Sequence, residues 1–249
     1  MVRNIAAYRF VPVEDPAALA DALRDCAQGQ GLRGSVLVAP EGLNLFLAGA
    51  PQGVAAFLAR LRADPRFADL EVKDSTSAQV PFARLKVKVK REIIAFRRRD
   101  ASPLQARAPA VAPETLARWI GQGHDDTGRR LVLLDTRNRE ETAHGAFAGA
   151  LVLPIDNFTE LPDALAPHRE ALRDAAVVSY CTGGIRCEKA ALWMRAQGMD
   201  NVLQLDGGIL GYFERVGGAG YAGRCFVFDE RVALDPALRP LRDDTGQAA

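Results

Sequence analysis

The stretch "AVVSYCTGGIRCEKA", residues 176 to 190, sets Cys181 directly after an apolar run, followed by two glycines, an arginine and a second cysteine. A short apolar run that ends in a glycine turn before a helical pattern reads as a buried strand of a parallel sheet. The loop at the carboxyl end of such a strand is where ligands and reactive groups gather. Gly183 and Gly184 let the backbone curl until several N–H groups converge on one point. The N-terminus of the next helix adds partial positive charge, and Arg186 adds a full one. Each favours thiolate over thiol, so Cys181 is expected to be a low-pKa nucleophile cradled by Thr182, Gly183, Gly184, Ile185 and Arg186. A free cysteine at a strand end is more often an inert buried hydrophobe; the Gly-Gly-Ile-Arg context turns this one towards reactivity.

Loop length separates the chemistries. Cys181 and Arg186 enclose four residues, fewer than a cysteine phosphatase uses to wrap a tetrahedral phosphate. The cradle suits a single sulfur atom, thiolate or persulfide. Cys187 has two readings: a resolving thiol for Cys181, or a side chain packed under the loop.

The elements that must position this loop follow from the periodicity. Residues 114–217 alternate short apolar strands with helices: "ETLARWIGQG", "RLVLLDTR", "ALVLP", a helix "ELPDALAPHREALRD", "AVVSYC", a helix opening near Cys187, "NVLQLDGG" and "ILGYFERV". That rhythm gives a parallel sheet covered on both faces. Residues 1–97 have a different order. "AAYRFVPV" reads as a strand, and Asp15 and Pro16 open a helix. "GSVLVAP" and "LNLFLAG" form a hairpin, a second helix carries Val54, Phe57, Leu58 and Leu61 on one face, and "LEVKD" and "ARLKVKVKREIIAF" complete the sheet. β-α-β-β-α-β with a further strand is the split βαβ, ferredoxin-like pattern. The fold class is therefore α/β: a ferredoxin-like α+β domain (1–97), a Pro/Ala/Arg linker (98–113), a parallel-sheet α/β domain (114–217), and a C-terminal extension with a polar tail (218–249).

Composition narrows the partners. Hydrophobic residues make up 48% of the 249, charged residues 25%, and the net charge is +1. These are values for a folded chain and not for a global polyanion binder. Apolar runs stay short of the roughly 18 residues a membrane span needs, and the N-terminus lacks a signal-peptide pattern. The four cysteines (Cys26, Cys181, Cys187, Cys225) show no disulfide spacing, so a reducing, cytoplasmic location is expected. The three histidines are scattered, and no metal site or dinucleotide fingerprint is visible; no cofactor is evident.

Charge is nevertheless concentrated. Between Arg84 and Arg99 stand eight Lys or Arg residues and one acid, a local net of +7. Along "RLKVKVK" the alternation puts Leu85, Val87 and Val89 on one face and Arg84, Lys86, Lys88 and Lys90 on the other. With Arg91, they can track RNA phosphates in a salt-dependent way. The plainer alternative is an edge strand that uses lysines against aggregation.

Residues 114–217 resemble a rhodanese domain, through "LLDTRNREE", "YCTGGIRCEKA" and "LDGGILGYFE". Rhodaneses carry sulfur as a persulfide on the cysteine matching Cys181, and the resemblance carries Asp135 and Arg137 over to a supporting role, an ion pair that only fixes the fold being the more common reading than direct catalysis. Together with "GSVLVAPEGLN", "LRADPRFADLEVKDS", "PFARLKVKVKREIIAF" and "GRCFVFDERVA", the loop makes nearly the whole chain similar to the TrhO family of tRNA uridine hydroxylases. Leu45-Phe46 stand where that family usually has Gly-Thr. The resemblance implies oxygen-dependent 5-hydroxylation of the tRNA wobble uridine, molecular oxygen as co-substrate, tRNA as partner, and a sulfur donor or reductant as a second one. Two other readings stay open: a plain sulfurtransferase, and an RNA-binding or regulatory module on an inactive rhodanese scaffold.

Overall fold

Asp15 opens the first helix as its residue type suggests, its carboxylate accepting from the backbone N–H groups of Ala17 and Ala18 at 3.1 and 2.9 Å. The computed structural model describes residues 1–98 and 100–240; Arg99 and the expected polar tail, "LRDDTGQAA", lie outside the described residues. The chain divides into two units, one of Met1–Ala95 with Asp229–Arg231, the other running from Phe96 to Phe228 and resuming at Val232.

The first unit comprises β1 (Val2–Phe10), α1 (Pro16–Gly29), β2 (Arg33–Ala39), β3 (Gly42–Gly49), α2 (Pro51–Arg62), β4 (Lys73–Ser77) and β5 (Leu85–Val89). Its sheet order is β4-β1-β3-β2-β5. All neighbours are antiparallel except β2 and β5, so this is the ferredoxin-like arrangement with one extra edge strand. Ala20 and Leu23 of α1 and Val54 and Phe57 of α2 pack with Ile5, Val36, Leu45 and Leu47 in one core.

Two strand boundaries differ from the periodicity. The strand expected over "LEVKD" begins only at Lys73 and is mostly polar. It is an edge strand joined to β1 partly through Arg3, whose Nη2 donates to Asp74 Oδ2 at 3.0 Å, a pairing that hydrophobic alternation does not register. The strand expected to continue to Phe96 stops at Val89. Beyond it Ile93 is buried in irregular chain, its N–H held by Glu41 Oε1 at 2.8 Å and its carbonyl by Asn44 Nδ2 at 3.2 Å. Leu85 and Val87 pack against the core, but Val89 is half exposed.

The second unit comprises β6 (Ala110–Val111), α3 (Pro113–Gln122), β7 (Leu131–Asp135), α4 (Arg139–Thr142), β8 (Gly145–Phe147), β9 (Leu151–Val152), α5 (Leu161–Leu165), β10 (Ala176–Tyr180), α6 (Ile185–Ala196), β11 (Val202–Leu205), α7 (Gly208–Val216), β12 (Tyr221–Gly223), β13 (Cys225–Phe226) and β14 (Ala233–Leu234). Its main sheet, β6-β11-β10-β7-β9, is parallel throughout. β10 sits in the middle with every residue buried, which explains why "AVVSY" reads as a continuous apolar run. The edge strand β6 lies in the segment that composition marks as linker.

The long helix expected over residues 160–174 is broken into α5 and two single 3₁₀ turns. Pro162 stands in the first turn, but Pro167 falls after it, where a missing N–H and ring clash end a helix. Among the described residues no helix is long and apolar enough to cross a membrane.

Candidate active site

β7 and β10 are adjacent and in register, Tyr180 opposite Asp135, so their carboxyl ends deliver two loops to one place. The Cys181 loop leaves β10 and the Thr136–Asn138 segment leaves β7. Thr136 ties the two together: its N–H and Oγ1 both donate to the Tyr180 carbonyl, at 3.0 and 2.9 Å.

Cys181 is fully buried, and its Sγ accepts from the Gly184 N–H at 3.1 Å. Burial alone would push the thiol up. It is overridden by a hydrogen bond from the Cys187 thiol, by the Arg186 charge and by the N–H groups of Arg186 and Gly184, and the pKa is pushed down to about 6. Cys181 is thus a thiolate at neutral pH. Cys187, also fully buried, is pushed well above the usual thiol range by burial and by the neighbouring Cys181 sulfur. The two sulfurs are therefore shifted in opposite directions, Cys181 towards the thiolate and Cys187 towards the thiol.

The glycines of the loop divide the work unequally. Gly184 caps α6 with φ of 99°, a left-handed conformation that glycine adopts without penalty. A side chain added at Gly183 would meet nothing within 4 Å, so that position is open. The loop is pinned from the other side by the start of α7. The N–H groups of Ile209 and Leu210 donate to the carbonyls of Cys181 and Thr182, at 2.9 and 3.0 Å.

Arg186 is buried with only 4% of its surface exposed, and it spends its charge on a partner that residue spacing did not single out. Glu141, itself buried, accepts from Arg186 Nη2 at 2.6 Å and from Nη1. Glu141 also takes the Asn138 N–H at 3.0 Å and Thr182 Oγ1 at 3.3 Å. Burial pushes this carboxyl up, but the Arg186 hydrogen bonds and charge outweigh it and hold it below the usual range. Among the described residues, the buried Arg186 Nε finds no hydrogen-bond partner. The sequence did contain a signal for Glu141, because Asn138 followed three residues later by a glutamate is a helix-start pattern.

Asp135 and Arg137 form a second buried pair, with Arg137 Nη2 2.6 Å from Asp135 Oδ2 and both side chains fully buried. Arg137 also donates to the Gly145 carbonyl at 2.7 Å. It therefore braces the loop after β7 against β8. Cys225 is a third buried thiol in this unit; its Sγ donates to the Phe226 carbonyl at 3.6 Å, and burial pushes it up to about 12, hence protonated.

The second unit thus gathers Cys181, Thr182, Gly183, Gly184, Ile185, Arg186, Cys187, Asp135 and Arg137, and adds Thr136, Glu141, Cys225 and Gly208. Among the described residues no three or more His, Cys, Asp or Glu side chains are placed to hold a metal ion together. Arg84, Lys86, Lys88, Lys90 and Arg91 belong to the first unit, on and just beyond its edge strand β5, and all five are exposed. The β5 ladder reaches Lys90, whose N–H donates to the Val38 carbonyl at 2.8 Å.

Residues 2–93 match the model of the UPF0176 acylphosphatase like domain, and residues 112–215 that of the rhodanese-like domain. The tRNA uridine(34) hydroxylase of Xanthomonas campestris pv. campestris (strain 8004) is 70% identical over 243 residues, 98% of this chain and 96% of its own. That of Xanthomonas euvesicatoria pv. vesicatoria (strain 85-10) is 68% identical, covering 98% of each chain. The Xylella fastidiosa (strain M23) protein of the same name is 63% identical, across 98% of this chain and 95% of its own. Identity at this level through both units means that the chain belongs to the tRNA uridine(34) hydroxylase family.

Proposed function

We propose that this chain hydroxylates the wobble uridine of tRNA at C5, using molecular oxygen, with Cys181 as the reacting sulfur. The observation that carries the reading is the 70% identity, running through 98% of the chain, to a relative named for that activity. The site supports a sulfur-based chemistry. A thiolate with a pKa of about 6 sits on the N–H of Gly184, beside a buried arginine with one unspent donor. The same donors would hold the outer sulfur of a Cys181 persulfide. Arg84, Lys86, Lys88, Lys90 and Arg91 supply the phosphate contacts for tRNA. A cytoplasmic location, where tRNA is found, belongs to the same proposal.

The test is nucleoside mass spectrometry of tRNA from a strain lacking the gene and any parallel pathway, complemented with wild type or Cys181→Ser. Wild type restores 5-hydroxyuridine and Cys181→Ser does not. Failure of wild type to restore it rejects the activity, whereas full restoration by Cys181→Ser rejects the role of the cysteine.

A second reading, sulfurtransfer from thiosulfate or a persulfide donor to a thiol, is favoured by one feature: the loop encloses four residues between Cys181 and Arg186 and fits one sulfur atom. Turnover of thiosulfate that is lost in Cys181→Ser, with tRNA composition unchanged on deletion, would put this reading first.

A further inference from the structure

Hydroxylation by molecular oxygen has an electron requirement that uridine itself does not meet. One oxygen atom enters the C5–H bond; the other leaves as water and needs two electrons and two protons. We infer that the Cys181–Cys187 dithiol supplies this electron pair and is left as a disulfide. The inference rests on the hydroxylase reading above.

The atoms balance. Uridine, one O₂ and two thiols give 5-hydroxyuridine, one water and one disulfide. The C5–H, the O–O and two S–H bonds break; C5–O, S–S and three O–H bonds form. The proton that Cys181 has already released as a thiolate is recovered from solvent. Oxygen is the oxidant and the two sulfurs are the reductant, so no further redox group is needed to close the step.

The placement of Cys187 fits this work better than it fits packing. A cysteine that only fills space behaves as a small apolar side chain. Here the Cys187 and Cys181 sulfurs are close enough that each shifts the ionisation of the other. The backbone closes a ring around the pair: Cys187 N–H donates to the Gly184 carbonyl at 3.0 Å, and Gly184 N–H donates to Cys181 Sγ at 3.1 Å. On its other side, Cys187 Sγ lies 3.7 Å from Thr136 Oγ1, the hydroxyl that holds the Tyr180 carbonyl just before Cys181. Hydrogen-bonded sulfurs must close to about 2.05 Å to form a disulfide. Disulfide formation proceeds by attack of a thiolate on an oxidised partner sulfur; oxidation of Cys181 removes the negative charge that helps hold Cys187 protonated, so Cys187 can then release its proton and attack the Cys181 sulfur. Cys225 is not in this ring; its Sγ donates to the Phe226 carbonyl at 3.6 Å.

The experiment is a single-turnover reaction. Wild-type protein is fully reduced, freed of external reductant, and mixed with substrate tRNA under air. Nucleoside mass spectrometry counts 5-hydroxyuridine, and peptide mass spectrometry counts the Cys181–Cys187 disulfide. Hydroxyuridine is expected to plateau at about one per disulfide formed, because one disulfide releases two electrons, and dithiothreitol should restart the reaction. Without oxygen neither product forms, and without tRNA the disulfide forms far more slowly. Cys187→Ser should lose the burst that wild type gives without reductant.

Hydroxyuridine formed while both thiols stay reduced would overturn the inference and leave the hydroxylase reading standing. Disulfide formed equally fast with and without tRNA would overturn it too, marking the pair as a simple oxidant-sensitive thiol couple. No hydroxyuridine from wild type even with excess reductant would reject the hydroxylase reading itself, and the inference with it.

Discussion

Gly208 lies so close to the reactive loop that a Cβ there would stand 2.6 Å from the Cys181 carbonyl oxygen and 2.6 Å from the Gly184 nitrogen. Both neighbours are backbone atoms, which cannot swing aside. Gly208 also has φ of 62°, a conformation that costs an L-residue roughly 1–2 kcal/mol. The "LDGG" turn is therefore part of the cysteine site, shaped to let α7 dock against it. Gly208→Ala is expected to lower the thermal midpoint and abolish hydroxyuridine formation. Gly183→Ala, in open space at negative φ, is expected to keep both near wild type. Comparing the two variants by thermal unfolding and tRNA analysis checks this; equal damage from both would contradict it.

Glu141 and Arg186 form a pair whose loss should be costly in a specific way. Removing one member of a buried ion pair leaves an uncompensated charge, typically at about 3–5 kcal/mol. Glu141→Gln keeps the shape but removes the anion, so the thermal midpoint should fall markedly. The Arg186 charge, no longer neutralised, should pull the Cys181 pKa further down. An isolated stability loss with an unchanged thiolate titration would show that Arg186 does not reach Cys181 electrostatically. The pH sign follows from the depressed Glu141 pKa. This carboxylate stabilises the fold above its unfolded value of about 4.3, and that contribution is lost as pH falls through the lower folded value.

Much of this arrangement is legible in the sequence because it is local. The loop from Cys181 to Cys187, the buried run before it and the helix after it follow one another along the chain, so residue types and spacing suffice. The β-α-β-β-α-β order of the first unit is readable for the same reason. What periodicity does not show is pairing across distance. Glu141 is 45 residues from Arg186, and Gly208 touches Cys181 only because α7 returns to the loop. Neither relation leaves a repeating pattern. The electrostatics are also only half visible. Residue types point to Arg186 and the loop backbone as stabilising the thiolate, but the foremost lowering influence on Cys181 is the S–H of Cys187, whose direction depends on side-chain placement within the folded loop.

The Cys181 titration offers a direct check on that hydrogen bond. An ordinary thiol ionises near about 8.5, and Cys181 is pushed down to about 6. Cys187→Ala removes the donor and should move the titration back upward. Cys187→Ser retains an O–H donor and should leave it closer to wild type, a rescue that mere packing would not produce. Thiolate ultraviolet absorbance as a function of pH reads the shift, with Cys181→Ser as the blank. Because the folded pKa is depressed, ionised Cys181 contributes stability above the unfolded value. That contribution disappears as pH falls through about 6.

The basic strand makes a prediction that separates RNA binding from simple protection of a sheet edge. Lys86 and Lys88 are exposed, on the face of β5 opposite Leu85 and Val87, which pack against the core. Replacing both with alanine should leave stability within about 0.5 kcal/mol, as for surface positions away from special features. If the lysines neutralise tRNA phosphates, affinity should fall, and the slope of log K against log salt should become shallower by about 0.7–0.9 for each phosphate no longer neutralised. Binding measured over a range of salt concentrations gives that slope. An unchanged slope with increased aggregation would instead assign the lysines to edge protection. Lys86→Arg/Lys88→Arg should retain the slope, since the charge is kept, and this control distinguishes loss of charge from a local disturbance of β5.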